Sequence, residues 1–293
     1  MRLPNPIKPW FLYRPKQLVR RIVRGVRSPA DPVQVVELPW GCPIEIEVRE
    51  TIGRSIWTAG VYDLAVVEVL TRLADPNLLA IDAGANLGAM TGALAARAAE
   101  VWTFEPNPAV VLRLNGNIAR FAGLQGFAPC RSFEIALSDS DGEGRLETPG
   151  DSADNGGLAR LTSDADGIPV RTARLDCLLD GRDVGILKAD VEGHEAALFR
   201  GASESLRAGR IAHVVFEEHG GADSPTCRLL TDCGYTLFEI GWRLTGPVLT
   251  APGSRAARRY ESPSLLATRH PERAVAICRP RGWACFHPPA EGR

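Results

Sequence analysis

No apolar run in this 293-residue chain approaches the ~18 residues that a membrane-spanning helix requires. Nor is there the basic, apolar and small-residue succession of a secretory signal, so a cytoplasmic protein is expected. Cysteine is sparse and scattered. The seven residues (Cys42, Cys130, Cys177, Cys227, Cys233, Cys278 and Cys285) are odd in number, and Cys227 and Cys233 stand too far apart for a CxxC pair. No cysteine and histidine spacing matches a zinc site, and no aspartate-rich metal signature occurs, so reduced structural thiols and no metal are expected. An excess of one charge is also missing. With 34 Lys and Arg against 35 Asp and Glu, the formal net charge of -1 gives nucleic acid no general attraction. No internal repeat is visible.

Hydrophobic residues make up 45% and charged ones 24%, ordinary values for a globular chain long enough to bury a sizeable core. The composition shifts only at the start. Lys8, Arg14, Lys16, Arg20, Arg21, Arg24 and Arg27 meet no acid until Asp31. An amphipathic helix from Leu18 to Val26 would make a weak contact with an anionic membrane surface, or pack solvated on the domain's own flank. Pro4, Pro6, Pro9 and Pro15 break up its beginning. The expected organisation is an extension over 1–57, a nucleotide-binding core over 58–245, and a C-terminal strand and tail over 246–293.

The pattern alternates strand and helix, as a doubly wound α/β sheet requires. Residues 44–48 alternate with period 2, and 62–73 carry apolar residues on one helical face. Strands are expected at 78–82, 101–104, 133–137, 184–187 and 213–216, with 235–240 and 264–268 as an antiparallel pair. Helices are expected at 87–98, at 108–121 with Pro108 in its first turn, from about His194 to Gly201 with a further turn to Ala208, and at 226–233, closed by Gly234. Residues 138–144 read as a turn. The polar, Gly-rich stretch 145–172 reads as a hairpin or a covering loop above the sheet.

Two clusters carry chemistry. The first is Ile81-Asp82-Ala83-Gly84-Ala85-Asn86-Leu87-Gly88, a strand turning through a glycine loop into a helix, followed by Glu105 at the end of the next strand. That acid stands about 20 residues beyond Gly84, the spacing that places a carboxylate on ribose hydroxyls. The pyrophosphate fingerprint G-x-G-x-x-G is broken, because Asn86 and Ala89 stand where glycines would cradle phosphate. A phosphate-free adenosyl ligand, S-adenosylmethionine (SAM), suits the loop better. The second cluster is Lys188-Ala189-Asp190-Val191-Glu192-Gly193-His194-Glu195 at another strand end, with Phe216-Glu217-Glu218-His219 closing its neighbour. Ligands bind beyond the carboxyl ends of strands in open α/β sheets, so these groups are expected in one crevice. Alternatively, Glu195 and Glu218 are solvated, Lys188 pairs with Asp190, and His194 and His219 are hydrogen-bonding struts.

The succession of the 82–88 loop, Phe104-Glu105-Pro106-Asn107, Asn117, Ala136-Leu137-Ser138, Leu175-Asp176, the 188–195 run, Gly201-Ala202 and Phe216-Glu217 resembles the FkbM family of SAM-dependent methyltransferases. The likeness spans roughly 58–240. Ala189 stands where a larger aliphatic residue is usual. The resemblance implies a class I methyltransferase fold, a seven-stranded, mostly parallel sheet with an antiparallel last strand. It also implies O-methylation of a hydroxyl on a sugar, glycan or secondary metabolite. Transferred by position, Asp82, Gly84, Asn86 and Gly88 would line the methionine moiety, Glu105 would hold the ribose, and Asn107 and Ser138 would lie near the adenosine.

An alcohol needs a general base as its bond to an activated methyl forms. Asp190 and Glu192 crowd each other, which raises carboxyl pKa values, and His194 rivals them for the role. Lys188, Glu217 and His219 are expected to contact the acceptor. A divalent cation on Asp190, Glu192 and Glu217 is the less favoured reading. A nicotinamide-dependent oxidoreductase and a non-catalytic module on a nucleotide fold are the other two classes.

Overall fold

The computed structural model describes residues 16, 19, 22–24, 29–147, 159–162, 166–254 and 264–289. A hairpin of β1 (Val33–Glu37) and β2 (Pro43–Glu47) leads into α1 (Thr51–Ala59) and α2 (Leu64–Leu73). The Asp63 carboxylate caps α2 by accepting the Val66 N–H. The wound core follows: β3 (Leu79–Ala83), α3 (Ala89–Ala95), β4 (Glu100–Phe104), α4 (Pro108–Phe121), β5 (Cys130–Phe133) and β6 (Ala136–Leu137). Next come β7 (Gly142–Glu147), β8 (Arg160–Thr162), β9 (Ile168–Ala173), α5 (Leu175–Leu179), β10 (Val184–Ala189), α6 (Glu195–Gly201) and α7 (Ser203–Arg207). The chain closes with β11 (Ile211–Glu217), α8 (Pro225–Asp232), β12 (Thr236–Arg243), β13 (Gly246–Thr250), β14 (Ser264–Thr268) and α9 (Pro271–Cys278).

The main sheet runs β13-β12-β14-β11-β10-β3-β4-β5. Strands β5, β4, β3, β10 and β11 are mutually parallel, while β14 lies antiparallel between β11 and β12. The antiparallel last strand is as the family resemblance implied. The sheet has eight strands rather than seven, because Leu244 and Thr245 let β13 fold back antiparallel on β12.

Strand residues alternate between two cores. Ala80, Val101, Ile186, Val215 and Leu266 join α2, α3, α9 and the β1–β2 hairpin on one face. Ile81, Phe104, Leu187, Phe216 and Ala267 join α5 to α8 on the other. This two-sided burial is why β3 and β10 are apolar apart from the paired Asp82 and Lys188.

The stretch expected as one strand at 133–137 is two. Cys130–Phe133 edges the main sheet, whereas Ala136–Leu137 crosses to a second, four-stranded sheet of order β6-β9-β7-β8. The turn at 138–144 is correspondingly shorter, since β7 begins at Gly142. The hairpin expected above the sheet exists as β7 and β8, and its Gly-rich centre, 148–158, lies outside the described residues. The basic arm also lies largely outside them, and with it the membrane-surface contact. Its described residue Arg24 sits 3.9 Å from the Trp57 ring centre and donates to the Trp57 carbonyl at 3.3 Å.

The C-terminal segment is fastened by two charges on α2. Glu68 is fully buried and Arg72 nearly so, paired at 2.5 Å. Arg72 donates to the carbonyls of Ile277, Cys278, Pro280 and Gly282, while Glu68 accepts the Ala284 and Cys285 N–H groups. Removing one partner of a buried pair leaves an uncompensated charge. Arg72→Ala is expected to lower stability by about 3–5 kcal/mol, read as a lower urea midpoint at unchanged slope. A midpoint within error of wild type would show that the clamp is not needed.

Candidate active site

A cleft opens at the carboxyl ends of β3, β4, β10 and β11. Its floor is the loop after β3, where Gly84 and Gly88 have φ of 71° and 84° and Asn86 reaches 50°. At Gly84 the choice of glycine is steric. A Cβ there would lie 1.8 Å from the Asp190 carbonyl oxygen, so the two strand ends can close only around a bare backbone. Gly88 starts α3 and would clash with Leu114 at 2.9 Å. Asn117 on α4 staples this floor from below, donating to the Leu87 carbonyl at 2.9 Å and exchanging hydrogen bonds with the Glu45 backbone.

Glu105 closes one end. Its carboxylate is buried, with Oε2 accepting the Asn86 N–H at 3.1 Å and Oε1 the Asn107 N–H at 3.0 Å. Burial pushes its carboxyl up to about 7, against the two N–H groups and Lys188, which favour the charge. Asn107 lies behind it as the cap of α4, its Oδ1 accepting the Ala109 N–H. Pro106, Ile135 and Leu137 make an apolar slot beside Glu105.

The other end gathers Lys188, Asp190, Glu192 and Glu217, with Tyr62 and His194 on its walls. Lys188 sits in register with Asp82 on β3 and is buried. Its Nζ lies 3.3 Å from Asp82 Oδ1 and 3.5 Å from Asp190 Oδ2, and donates to the Gly84 carbonyl at 2.8 Å. Burial disfavours the ammonium, but the Asp82 and Asp190 carboxylates outweigh it and hold the charge well above the ordinary range. The ion pair with Asp190, the alternative to an acceptor contact for Lys188, is therefore present, joined by Asp82. Asp82 itself is fully buried behind the loop, and its Oδ2 accepts from Thr91 at 2.7 Å.

Glu192 has φ of 52° and stands at the solvent-open mouth. Its partial burial by the cleft walls, then the Asp190, Glu217 and Glu195 carboxylates, push it up to about 7. His194 is half-buried, and burial lowers its pKa; Nε2 lies 2.9 Å from the buried Ser138 Oγ. His219 is exposed, 3.4 Å from Glu217. The alternative that left Glu195 and Glu218 solvated is corrected. Both are buried because they hold loops: Glu195 accepts from Val191 and Gly193, and Glu218 from Gly220 and Ser224.

Three parts of the cleft were not anticipated. Tyr62, expected only as the start of a helix, faces Asp190 and Lys188. Burial, Asp190 and Asp63 push its hydroxyl up to about 12, so it remains a donor at neutral pH. Glu50, Thr51 and Ile52 line the cleft from α1, and Glu50 pairs bidentately with Arg113 at 2.5 and 3.1 Å. Leu146, Ala159 and Leu161 reach it from the second sheet. Nothing in the local pattern pointed to the last two walls, whereas an aromatic hydroxyl just before a helix could have been weighed.

A model of the FkbM methyltransferase domain matches residues 82–237, more than half of the chain. The chain belongs to the FkbM methyltransferase family. The cofactor of an FkbM methyltransferase is SAM, which sets aside the nicotinamide reading of the loop. Hexuronic acid methyltransferase AglP from Haloferax volcanii is 30% identical over 161 residues, covering 54% of this chain and 63% of that protein. A solved FkbM methyltransferase from Methylobacillus flagellatus KT aligns at 11% identity with a TM-score of 0.44, covering 90% of this chain and 62% of that one. Magnesium protoporphyrin IX methyltransferase from Synechocystis PCC 6803, solved with bound SAM, aligns at 12% and 0.43, covering 91% and 100%. This FkbM chain thus spans under two thirds of the first two relatives' length.

The raised Glu105 carboxyl has a consequence for the ligand-free protein. The folded state retains a proton that the unfolded state gives up near pH 4.5, so stability declines as pH rises through about 7. Relative to Glu105→Gln, the wild type is expected to lose about 3 kcal/mol between pH 4.5 and 8. Parallel urea titrations across that range measure it, and parallel curves for the two proteins would overturn it.

Proposed function

We propose that this protein is a SAM-dependent O-methyltransferase acting on a hydroxyl of a sugar, glycan or secondary metabolite, with a sugar hydroxyl favoured. The observation that carries the reading is a poised carboxylate, Glu192, standing among Asp190, Glu217 and Tyr62 at one end of a cleft whose other end is a glycine loop and a buried acid. The cleft residues fit the cofactor. The bare Gly84 backbone permits close approach, Asn86 and Glu105 offer polar groups to methionine and ribose, and the Pro106, Ile135 and Leu137 slot suits an adenine ring. Asp82, Gly88 and Asn107 support that end from behind, and Ser138 is bonded to His194 on the wall of the other end. When bound, SAM supplies a sulfonium-activated methyl group.

The chain's own residues then act on the acceptor. Glu192, with a pKa near working pH, takes the hydroxyl proton as the oxygen attacks. Asp190, Glu217 and the Tyr62 hydroxyl orient the acceptor, and holding it in line is worth up to about 7–11 kcal/mol. Lys188 sets Asp190 in place. His194, fixed on Ser138, is the rival base. The AglP relative is named for a hexuronic acid, which supports the sugar class. Among the described residues lining this cleft, Lys188 is held by Asp82 and Asp190, and Arg113 by Glu50. That arrangement favours a hydroxyl over a carboxylate as methyl acceptor.

Calorimetric titration with SAM and its demethylated product tests the first half. Glu105→Ala removes charge-assisted hydrogen bonds of about 1.5–3 kcal/mol each, so affinity should fall at least ~tenfold. Absence of binding by the wild type, or equal affinity in the variant, would sink the assignment. For the second half, methyl transfer across a panel of glycosides should rise with pH through about 7. Glu192→Gln should lower turnover about 10²–10⁴-fold and flatten that limb while sparing SAM affinity. If His194→Ala alone abolishes the pH dependence, the histidine is the base.

A further inference from the structure

Between β10 and α6 the chain passes through two successive residues of positive φ, Glu192 at 52° and Gly193 at 90°. Glycine accepts such a conformation freely, but at Glu192 the side chain crowds its own backbone. Something must hold it there. Backbone hydrogen bonds from Asp190 to Ala83 and from His194 to Val191 bracket the turn without touching the amides at 191 and 193. Those two amides converge on one buried oxygen. Glu195 Oε1 accepts the Val191 N–H at 3.0 Å and the Gly193 N–H at 3.4 Å, on either side of Glu192.

We propose that Glu195 is the positioning residue that locks the 191–193 turn and thereby presents Glu192 to the cleft, an inference that rests on the methyltransferase reading only for what Glu192 then does. The choice of a carboxylate for this task goes against simple charge logic. Asp190 and Glu217 already surround Glu192, with Lys188 as the opposing charge, and Glu195 adds a further negative group. A neutral acceptor would make the same two hydrogen bonds without the repulsion. Glu195 therefore does two things together: it fixes the turn and adds to the crowding that keeps Glu192 protonatable near neutrality.

The two effects separate in variants. The Glu195→Gln amide keeps an acceptor oxygen and removes the charge, Glu195→Ala removes both, and Glu195→Asp keeps the charge but falls one methylene short of the amides. The full chain, labelled with ¹³C-glutamate and assigned with Glu192→Gln, reports the Glu192 carboxyl by NMR without any acceptor. The wild type should titrate near 7. Glu195→Gln should lower that midpoint while leaving exchange at the 191 and 193 amides within about threefold of wild type. Glu195→Ala should drop the midpoint toward the ordinary ~4.3 and speed exchange at both amides at least tenfold. Glu195→Asp, the safeguard if the alanine variant does not fold, should match it in exchange. SAM affinity should be unchanged throughout. Wild-type exchange at 191 and 193 in Glu195→Ala or Glu195→Asp would overturn the proposal, as would equal loss of protection in Glu195→Gln. A wild type that binds no SAM would overturn the methyltransferase reading instead, leaving the loop measurements to stand alone.

Discussion

The buried Lys188 ammonium, held between Asp82 on β3 and Asp190 just beyond β10, ties together the two strand ends from which the rest of the cleft is built. A lone charge in that position would be costly. With two carboxylates and the Gly84 carbonyl around it, the cost is offset, and the arrangement dictates its surroundings. The strand ends must come together closely enough for the Asp190 carbonyl to occupy the space of a Cβ at residue 84, so glycine is required there. Glu50, Glu105, Asp190, Glu192 and Glu217 are then the carboxylates that line the cleft.

Electrostatics divides the cleft in two. At the Glu105 end, one acid is buried and held by two backbone donors, suited to polar hydroxyls beside an apolar slot. At the Glu192 end, several carboxylates stand close with their shared cation already engaged, which favours a neutral acceptor and a protonatable base. The environments differ in cause as well as in place. Glu105 is raised mainly by burial, Glu192 by partial burial together with neighbouring acids.

Elements outside the family match reinforce the site. The β1–β2 hairpin and α1 supply Glu50 to Ile52, and the clamp from Glu68 and Arg72 binds the C-terminal segment to α2, while the second sheet, inside the match, supplies Leu146 and Leu161. Helix α1 was illegible in the sequence for a physical reason. Gly53 and the β-branched Thr51 and Ile52 argue against a helix locally, yet Gly53 is needed because a Cβ there would lie 2.0 Å from the Glu47 carbonyl. The break between β5 and β6 was equally hidden. Residues 133–137 suit a strand throughout, and only pairing with Thr172 and Ala173 pulls 136–137 into another sheet.

Local pattern by itself determined the wound α/β core, since buried strands and amphipathic helices of the right length repeat along the chain. Helix α4 and strand β14 fall on their expected residues, and the order of the glycine loop, Glu105 and the 188–195 run was readable as a candidate site. Which acids serve structure and which face the cleft was decided only by the tertiary fold. Asp82, Glu195 and Glu218 look in sequence like Glu192 and Glu217, but each is buried against partners, some of them supplied by another strand or loop. A carboxylate's role depends on what surrounds it in space, and for Asp82 and Lys188 that neighbour lies more than a hundred residues away in the chain.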